Sequence, residues 1–155
     1  MLSGPVSRRA LGMFLAAGTV LGFSPVFAHA DLYDEAIARA LLLLPRQPDR
    51  VVLVEQAVAT GPHTGKPNVE AFVHHGARIV HLVRQGVTLQ GALKGAGVYD
   101  YALACIIWHE MAHIDGADEP AAQRVEEELW SEFVLAGRVD RHVDMRYLAL
   151  LRKRR

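Results

Sequence analysis

Two histidines and a glutamate lie close together in the segment His109-Glu110-Met111-Ala112-His113. On an α-helix, residues four positions apart differ by about 40° around the axis and about 6 Å along it, so both imidazoles face one side. Two neutral imidazole nitrogens placed in this way can bind one Zn²⁺ ion at about 2.0–2.1 Å. Glu110 lies about 100° further round the helix, where it can reach water on the metal without being a ligand. The segment therefore predicts a zinc site in which Glu110 takes a proton from that water.

The residues before this motif are apolar. Between Ala102 and Trp108 no side chain is polar except the thiol of Cys105, which predicts a helix that is buried nearly all round. Burial of unpaired imidazoles and carboxylates is unfavourable, and a bound metal removes that penalty. The metal-free alternative is a helical module of the cell envelope whose histidines bond to backbone carbonyls.

A catalytic zinc ion needs a third protein ligand and an open fourth position. Gly116 predicts the end of the motif helix, and the segment after it predicts a further helix with Asp118 as its N-cap. At about 100° per residue, the inward face of that helix carries both Glu119 and Glu126, whereas Glu127 and Glu128 point to solvent. Either Glu119 or Glu126 can therefore complete the site.

The motif resembles that of the zincin metallopeptidases, and the helix after it is similar to that of the gluzincins, whose third zinc ligand is a glutamate on this helix. The sequence Glu-Pro-Ala-Ala-Gln at residues 119–123 resembles their Glu-x-x-Ala-Asp element, with Gln123 in place of an Asp that supports a ligand histidine. The resemblance implies a zinc peptidase. The zinc ligands that it implies are His109, His113 and Glu119, with Glu110 as the general base.

A hairpin adds to this resemblance. Residues 71–80, Ala-Phe-Val-His-His-Gly-Ala-Arg-Ile-Val, are similar to the edge strand and the following strand of thermolysin-like enzymes, although Glu70 stands in place of their Asn. In that family the edge strand binds an extended peptide by main-chain hydrogen bonds. The resemblance implies that a peptide lies along residues 68–74 and that Ala71 and Phe72 bind substrate.

A second family offers a competing comparison. The pattern His-Glu-x-x-His-x-x-Gly-x-x-Glu over residues 109–119 is similar to the metzincin spacing, with Glu119 in place of the usual third histidine. Asp-Met-Arg-Tyr at residues 144–147 is similar to a Met-turn, but it lies in a strongly helical stretch. Both comparisons nominate Glu119 as the third ligand, and Glu126 stays the alternative.

Residues 1–30 have the features of a secretory signal peptide. A pair of arginines precedes an apolar run over residues 10–23, and Ala28-x-Ala30 fits a cleavage site before Asp31. The residues around the arginine pair also resemble a twin-arginine signal, so that Sec and twin-arginine export both stay open. The sequence predicts a protein that is exported to the periplasm or to the cell exterior.

The composition fits one domain over residues 31–155 and limits its partners. The chain has 17 basic and 17 acidic residues, and a formal charge of zero removes the bulk attraction on which nucleic-acid binding relies. The single cysteine, Cys105, allows no intramolecular disulfide. The apolar run of the leader is short for a spanning helix, so no stable membrane span is expected after cleavage. The oligomeric state does not follow from the sequence.

The pattern of apolar residues predicts an α+β fold of zincin-like type, in which a short hairpin or sheet packs on the buried motif helix and further helices follow. In chain order, the predicted elements are a helix at 31–44, a strand at 51–54, hairpin strands at 68–74 and 78–83, a short helix at 88–94, and helices at 99–114, from Asp118 to about 135, and at 139–151.

These features together predict an exported zinc metallopeptidase that holds one zinc ion per chain and hydrolyses peptide bonds in a peptide or protein substrate. Tyr147, His142 or a hairpin histidine is a candidate for stabilising charge on the substrate carbonyl. The alternative is a non-catalytic, zinc-stabilised domain that binds a peptide or a partner in the cell envelope, because the mature chain is short for a zincin.

Overall fold

The computed structural model describes residues 25–55, 69–74, 76–95, 97–143 and Tyr147, with side chains from residue 32 onward. Within these residues the chain has an α+β fold, in which helices pack against a small three-stranded sheet. The helices are α1 (Pro25–Leu41), α2 (Val87–Leu93), α3 (Gly97–Ile114) and α4 (Glu119–Leu135), and the strands are β1 (Arg50–Val54), β2 (Ala71–Val73) and β3 (Ile79–Val83).

The sheet has β3 at its centre, parallel to β1 and antiparallel to β2. Side chains alternate along a strand, so Val80 and Leu82 of β3 join the core while His81 points to the opposite face of the sheet. The predicted hairpin is confirmed, because β2 and β3 pair around a turn that contains Gly76. The φ of Gly76 is 80°, a conformation that glycine adopts without strain.

The helix that carries the motif, α3, contacts every other described helix as well as β2 and β3. Residues 102–107 are all buried, as their apolar run predicts. Cys105 lies in this run as a free, buried thiol. Because α3 is held by the core on nearly all sides, its C-terminal turns have a fixed orientation relative to α4.

Two caps determine how α3 passes into α4. Gly116, with a φ of 93°, ends α3 in a Schellman turn, where its N–H donates to the carbonyl of His113 at 3.0 Å and the N–H of Ala117 donates to that of Ala112 at 2.9 Å. Asp118 then caps α4, since its carboxylate accepts a backbone N–H of the first turn at 2.9 Å. Both predicted signals are confirmed, and they bring the start of α4 beside the end of α3.

The first helix differs from its predicted bounds. It begins at Pro25 rather than at Asp31 and ends at Leu41, after which the chain tightens into turns of 3₁₀ type before Pro45. Among the side chains of α1 that the structure describes, from residue 32 onward, the buried ones are Tyr33, Ala36 and Ala40.

Two predicted segments lie outside the described residues, namely the leader up to residue 24 and most of the last helix, and so do residues 56–68. Of that helix, residues 141–143 and Tyr147 are described and are helical. Among the helices that the structure describes, none is both long and apolar enough to cross a bilayer.

Candidate metal centre

The candidate metal ligands lie at the junction of α3 and α4. His109 and His113 occupy successive turns at the end of α3, and Glu119 lies in the first turn of α4. His113 Nε2 lies 3.1 Å from His109 Nε2 and 3.3 Å from Glu119 Oε2. His109 Nε2 lies 3.8 Å from Glu119 Oε1. Within the described part of the chain, these three residues are the only group whose ligand atoms come within reach of one metal ion.

The separations between these atoms fit a bound zinc ion. Ligands at tetrahedral angles and about 2.0–2.1 Å from zinc lie about 3.3–3.4 Å from one another. The observed distances of 3.1, 3.3 and 3.8 Å lie around that value. The side chain of Glu119 is 36% exposed, which leaves the solvent side of the group accessible. Two imidazoles and a carboxylate are also a donor set that zinc prefers, so these residues fit the ion.

A backbone carbonyl orients the ring of His113. Its Nδ1 lies 2.9 Å from the carbonyl oxygen of Ala117, and the ring nitrogen must be the donor because a carbonyl can only accept. In the neutral ring, the lone pair is then on Nε2, which faces His109 and Glu119. Since the Schellman turn at Gly116 positions this carbonyl, the end of α3 itself selects the tautomer of His113.

A buried carboxylate lies against the other ring. Glu126 Oε2 is 3.0 Å from His109 Nδ1, although the ring N–H does not point straight at that oxygen. The second oxygen, Oε1, accepts a hydrogen bond from the hydroxyl of Tyr147 at 2.8 Å. A proton on Nδ1, facing this carboxylate, leaves the lone pair of His109 on Nε2 as well.

Burial and charge shift the pKa values of two groups at the site. Glu110 is 5% exposed, and burial raises its pKa to about 7, with His109 opposing the shift and the charges of Glu119 and Glu126 adding to it. Burial lowers the pKa of His109, but the contact with Glu126 and the charges of the other nearby carboxylates have the larger effect. The pKa of His109 is therefore raised. The imidazoles and carboxylates therefore form one coupled set of charges.

The structure distinguishes the two glutamates that were candidates for the third ligand. Glu119 reaches the Nε2 atoms of both histidines, whereas Glu126 contacts Nδ1 of His109. Gln123, which replaces the expected Asp, donates from its amide to Glu119 Oε1 at 3.2 Å. The carboxylate that meets a histidine Nδ1 is therefore Glu126, seven residues after Glu119.

Two side chains of the predicted substrate strand are buried, one on each face of the sheet. Ala71 is 7% exposed and Phe72 is 5% exposed, so the main chain of β2 is what this strand can offer to a peptide. β2 is an edge strand among the described residues. Glu70 caps α2, since its Oε2 accepts the N–H of Thr88 at 2.9 Å. Residue 68, where the predicted peptide-binding stretch begins, lies outside the described residues.

Sequence reasoning missed three groups that contact the site. They are the carbonyl of Ala117, the carboxylate of Glu126 in its position on Nδ1, and the hydroxyl of Tyr147 on Glu126. The shared helix face of Glu119 and Glu126 was a usable signal, but the nitrogen that each glutamate meets depends on ring orientations that spacing does not give.

A cavity of about 270 Å³ lies on the neighbouring face of α3. Its lining includes Trp108 and Ala112, each one residue before a histidine of the motif, so it lies about 100° round the helix from the imidazoles. Arg46 closes one side, where it pairs with Asp115 and lies 5.8 Å from the centroid of the Trp108 ring.

No family model, curated protein or solved structure matches this chain. The likeness to zincins therefore rests on the motif and on the arrangement of the side chains.

Proposed function

We propose that this chain is an exported zinc metallopeptidase with a zincin-like fold. One zinc ion is held by His109, His113 and Glu119, and Glu110 is the general base. One observation carries the proposal: each imidazole turns Nδ1 toward an oxygen acceptor and Nε2 toward the other imidazole and Glu119.

The atoms that meet at this point are all acceptors. Two Nε2 lone pairs and the carboxylate oxygens of Glu119 lie within 3.1–3.8 Å of each other, and they repel one another unless a cation or a proton lies among them. A bound zinc ion would neutralise this repulsion, lower the pKa of a coordinated water toward about 7 and polarise a substrate carbonyl.

Glu110 is suited to move a proton at this site. It follows His109 directly on α3, and its Oε2 is buried without a hydrogen-bond partner among the described residues. With a pKa of about 7, its carboxylate can take up a proton near neutral pH and pass it to the amine that leaves when a peptide bond breaks. Glutamine at this position keeps the shape of the side chain but cannot accept that proton.

The rest of the chain supports peptide as the substrate and an exported location. The unpaired edge of β2, within the described residues, offers main-chain groups to an extended peptide. The arginine pair, the apolar run and the Ala28-x-Ala30 site support export. The periplasm or the cell exterior is the proposed location.

The burial of Glu110 favours a second candidate function. At 5% exposed, this carboxylate is less accessible than a base that must meet water and substrate in each turnover. The second candidate is a zinc-stabilised domain that binds a peptide or partner without cleaving it, in which a further protein ligand closes the fourth metal position.

Zinc binding tests the metal site. The purified protein should contain about one zinc ion per chain, measured by elemental analysis after removal of free metal. His109→Ala, His113→Ala and Glu119→Ala should each lose most of that zinc, whereas Glu128→Ala, an exposed glutamate on the same helix, should keep it. Full zinc occupancy in both histidine variants would overturn the proposal.

Peptide hydrolysis separates the two functions. The zinc-loaded protein should cleave members of a mixed peptide pool, as followed by mass spectrometry, and a chelator should stop the cleavage. Zinc binding without cleavage of any peptide, together with a fourth protein ligand seen by X-ray absorption, would support the non-catalytic domain instead.

A further inference from the structure

We infer that Glu126 and Tyr147 form a positioning pair that directs His109 toward the metal position: Tyr147 holds one oxygen of Glu126, and the other oxygen faces Nδ1 of His109. The inference rests on the proposed metal site and adds to it two residues that touch neither zinc nor substrate.

The first argument concerns the carboxylate itself. Glu126 is 3% exposed, and an ionised carboxylate at that depth is unfavourable unless both oxygens have partners. Tyr147 Oη donates to Oε1 at 2.8 Å, and His109 Nδ1 lies 3.0 Å from Oε2. The two contacts use opposite oxygens, so they fix the plane of the carboxylate as well as its position.

The second argument concerns how Tyr147 is held. Its ring stacks on that of Trp130, with centroids 3.9 Å apart and planes 23° from parallel. Trp130 is fully buried in α4, four residues after Glu126 and hence on the same helix face. The buried indole of Trp130 therefore holds the ring of Tyr147, and the hydroxyl of Tyr147 in turn holds the carboxylate of Glu126. A residue that follows α4 in the chain thus contributes to the geometry of the site.

The third argument is a difference between the two histidines. A neutral carbonyl, that of Ala117, faces Nδ1 of His113, whereas an anionic carboxylate faces Nδ1 of His109. A carboxylate on the distal nitrogen increases the electron-donating power of the imidazole toward a metal, and loss of such a partner typically lowers metal affinity about 10–100-fold. His109 should therefore depend on its partner more than His113 does.

A graded set of variants tests the pair. Glu126→Leu removes both contacts at similar volume, Glu126→Gln removes the charge but keeps hydrogen-bonding capacity, and Tyr147→Phe removes only the hydroxyl. Zinc affinity, measured by competition with a chromogenic chelator, should fall about 10–100-fold in Glu126→Leu, less in Glu126→Gln and least in Tyr147→Phe. Glu128→Gln, the same change at an exposed position of α4, should leave it unaltered.

Two further readouts separate positioning from a structural role. Glu126→Leu removes the acceptor of the buried Tyr147 hydroxyl, so the thermal midpoint of the metal-free protein should fall. When Glu126→Leu is combined with Tyr147→Phe, so that both polar groups are replaced, the midpoint should recover while zinc affinity stays low. In the zinc-loaded protein, the Nδ1 proton of His109 should give a downfield NMR resonance that moves upfield in Glu126→Gln while that of His113 stays in place.

The outcomes are distinct. Zinc affinities within about twofold of the unaltered chain in all three variants would overturn the inference and leave the metal site standing. A zinc affinity that recovers together with the metal-free midpoint in the double variant would also overturn it, since Glu126 would then act through folding alone. If the unaltered chain binds no zinc, both this inference and the proposed function are overturned.

Discussion

Two pairs of histidines in this chain have nearly the same ring geometry and different surroundings. His109 and His113 lie on α3 with ring centroids 4.8 Å apart and planes at 77°. His74 and His81 lie on the hairpin with centroids 4.8 Å apart and planes at 75°. The helical pair meets carboxylates at its ring nitrogens, whereas His81 stacks on Phe72, with centroids 4.9 Å apart.

The surroundings shift the pKa values of histidines in the two pairs in opposite directions. The pKa of His109 is raised, because Glu126 and the other carboxylates outweigh the effect of burial. The pKa of His81 is lowered, first by burial and then by the charge of His74. A close pair of imidazoles is therefore not enough to make a candidate metal site, and the carboxylates that α4 brings to the helical pair are what distinguish it from the hairpin pair.

The largest expected effect tests whether catalysis depends on the helix that carries His109 and His113. Glu110→Gln should lower kcat for peptide cleavage about 10²–10⁴-fold, because the side chain can no longer accept a proton, while zinc content stays the same. Steady-state cleavage of one identified peptide measures this. Glu128→Gln is the matched control, the same change at an exposed position of α4, and should retain full activity. Undiminished turnover in Glu110→Gln would remove Glu110 from the mechanism.

The second effect is the pH dependence of the metal-free protein. The pKa of Glu110 is raised from 4.5 to about 7 in the folded protein, so the folded state holds a proton that the unfolded state has released. The contribution of Glu110 to stability is then greatest below about pH 4.5 and should fall by about 3 kcal/mol as the pH rises to about 7.

Urea denaturation in the presence of a chelator, at several pH values from 5 to 8, measures that decrease. Glu110→Gln should reduce the slope, since the amide does not titrate, while the shifted pKa values of His109 and His81 leave a remaining pH dependence. If the slope is unchanged in this variant, Glu110 does not contribute to it.

The third effect separates backbone strain from loss of the carbonyl position that orients His113. Gly116→Ala puts a side chain at a φ of 93°, where its Cβ meets no atom within 4 Å, so it should lower stability by about 1–2 kcal/mol through backbone strain alone. Zinc affinity should also fall, because the turn positions the carbonyl that orients His113.

Gly137→Ala is the matched control for this change. Gly137 has a φ of 69° and ends α4 in a similar turn, so its replacement should lower stability by a similar amount without altering zinc affinity. Equal losses of zinc affinity in the two variants would mean that zinc affinity depends on overall stability and not on the position of the Ala117 carbonyl.

The smallest effect concerns the hairpin pair. His81→Phe keeps the stacking on Phe72 and removes a buried Nδ1 that has no well-formed hydrogen bond within the described residues. Stability at pH 8 should change by less than about 1 kcal/mol. Because the folded pKa of His81 is below its ordinary value of 6.5, the contribution of this histidine to stability falls as the pH falls through 6.5, and the variant lacks that contribution.

Local patterns in the sequence were enough to predict much of the fold. The buried run at residues 102–107 predicted α3, Gly116 and Asp118 predicted where helices end and begin, and the alternating hairpin residues predicted β2 and β3. Each of these is a short-range property of the chain, set by helix periodicity, capping or strand alternation. The same kind of spacing put the motif histidines on one helix face and left Glu119 and Glu126 as alternatives for the third ligand.

Contacts between distant residues were beyond this reasoning. The Tyr147 hydroxyl meets Glu126 across 21 positions of the sequence, and Arg39 of α1 pairs with Asp100 of α3 at 3.0 Å across 61. Such pairs depend on how helices pack, and single exposed or polar residues carry no periodic signal of their partner. The role of Glu126 could not be predicted for this reason, although its helix face could.

The burial of Cys105 determines how this protein can be labelled. Its thiol is fully buried, and burial, with a further contribution from Glu126, raises its pKa well above the usual range, so it should be slow to react with maleimides. Since the chain has one native cysteine, a second one introduced at Leu135, which is 85% exposed, would be the preferred labelling position. Fluorophores or spin labels can thus be attached at a single point without first deleting a core residue.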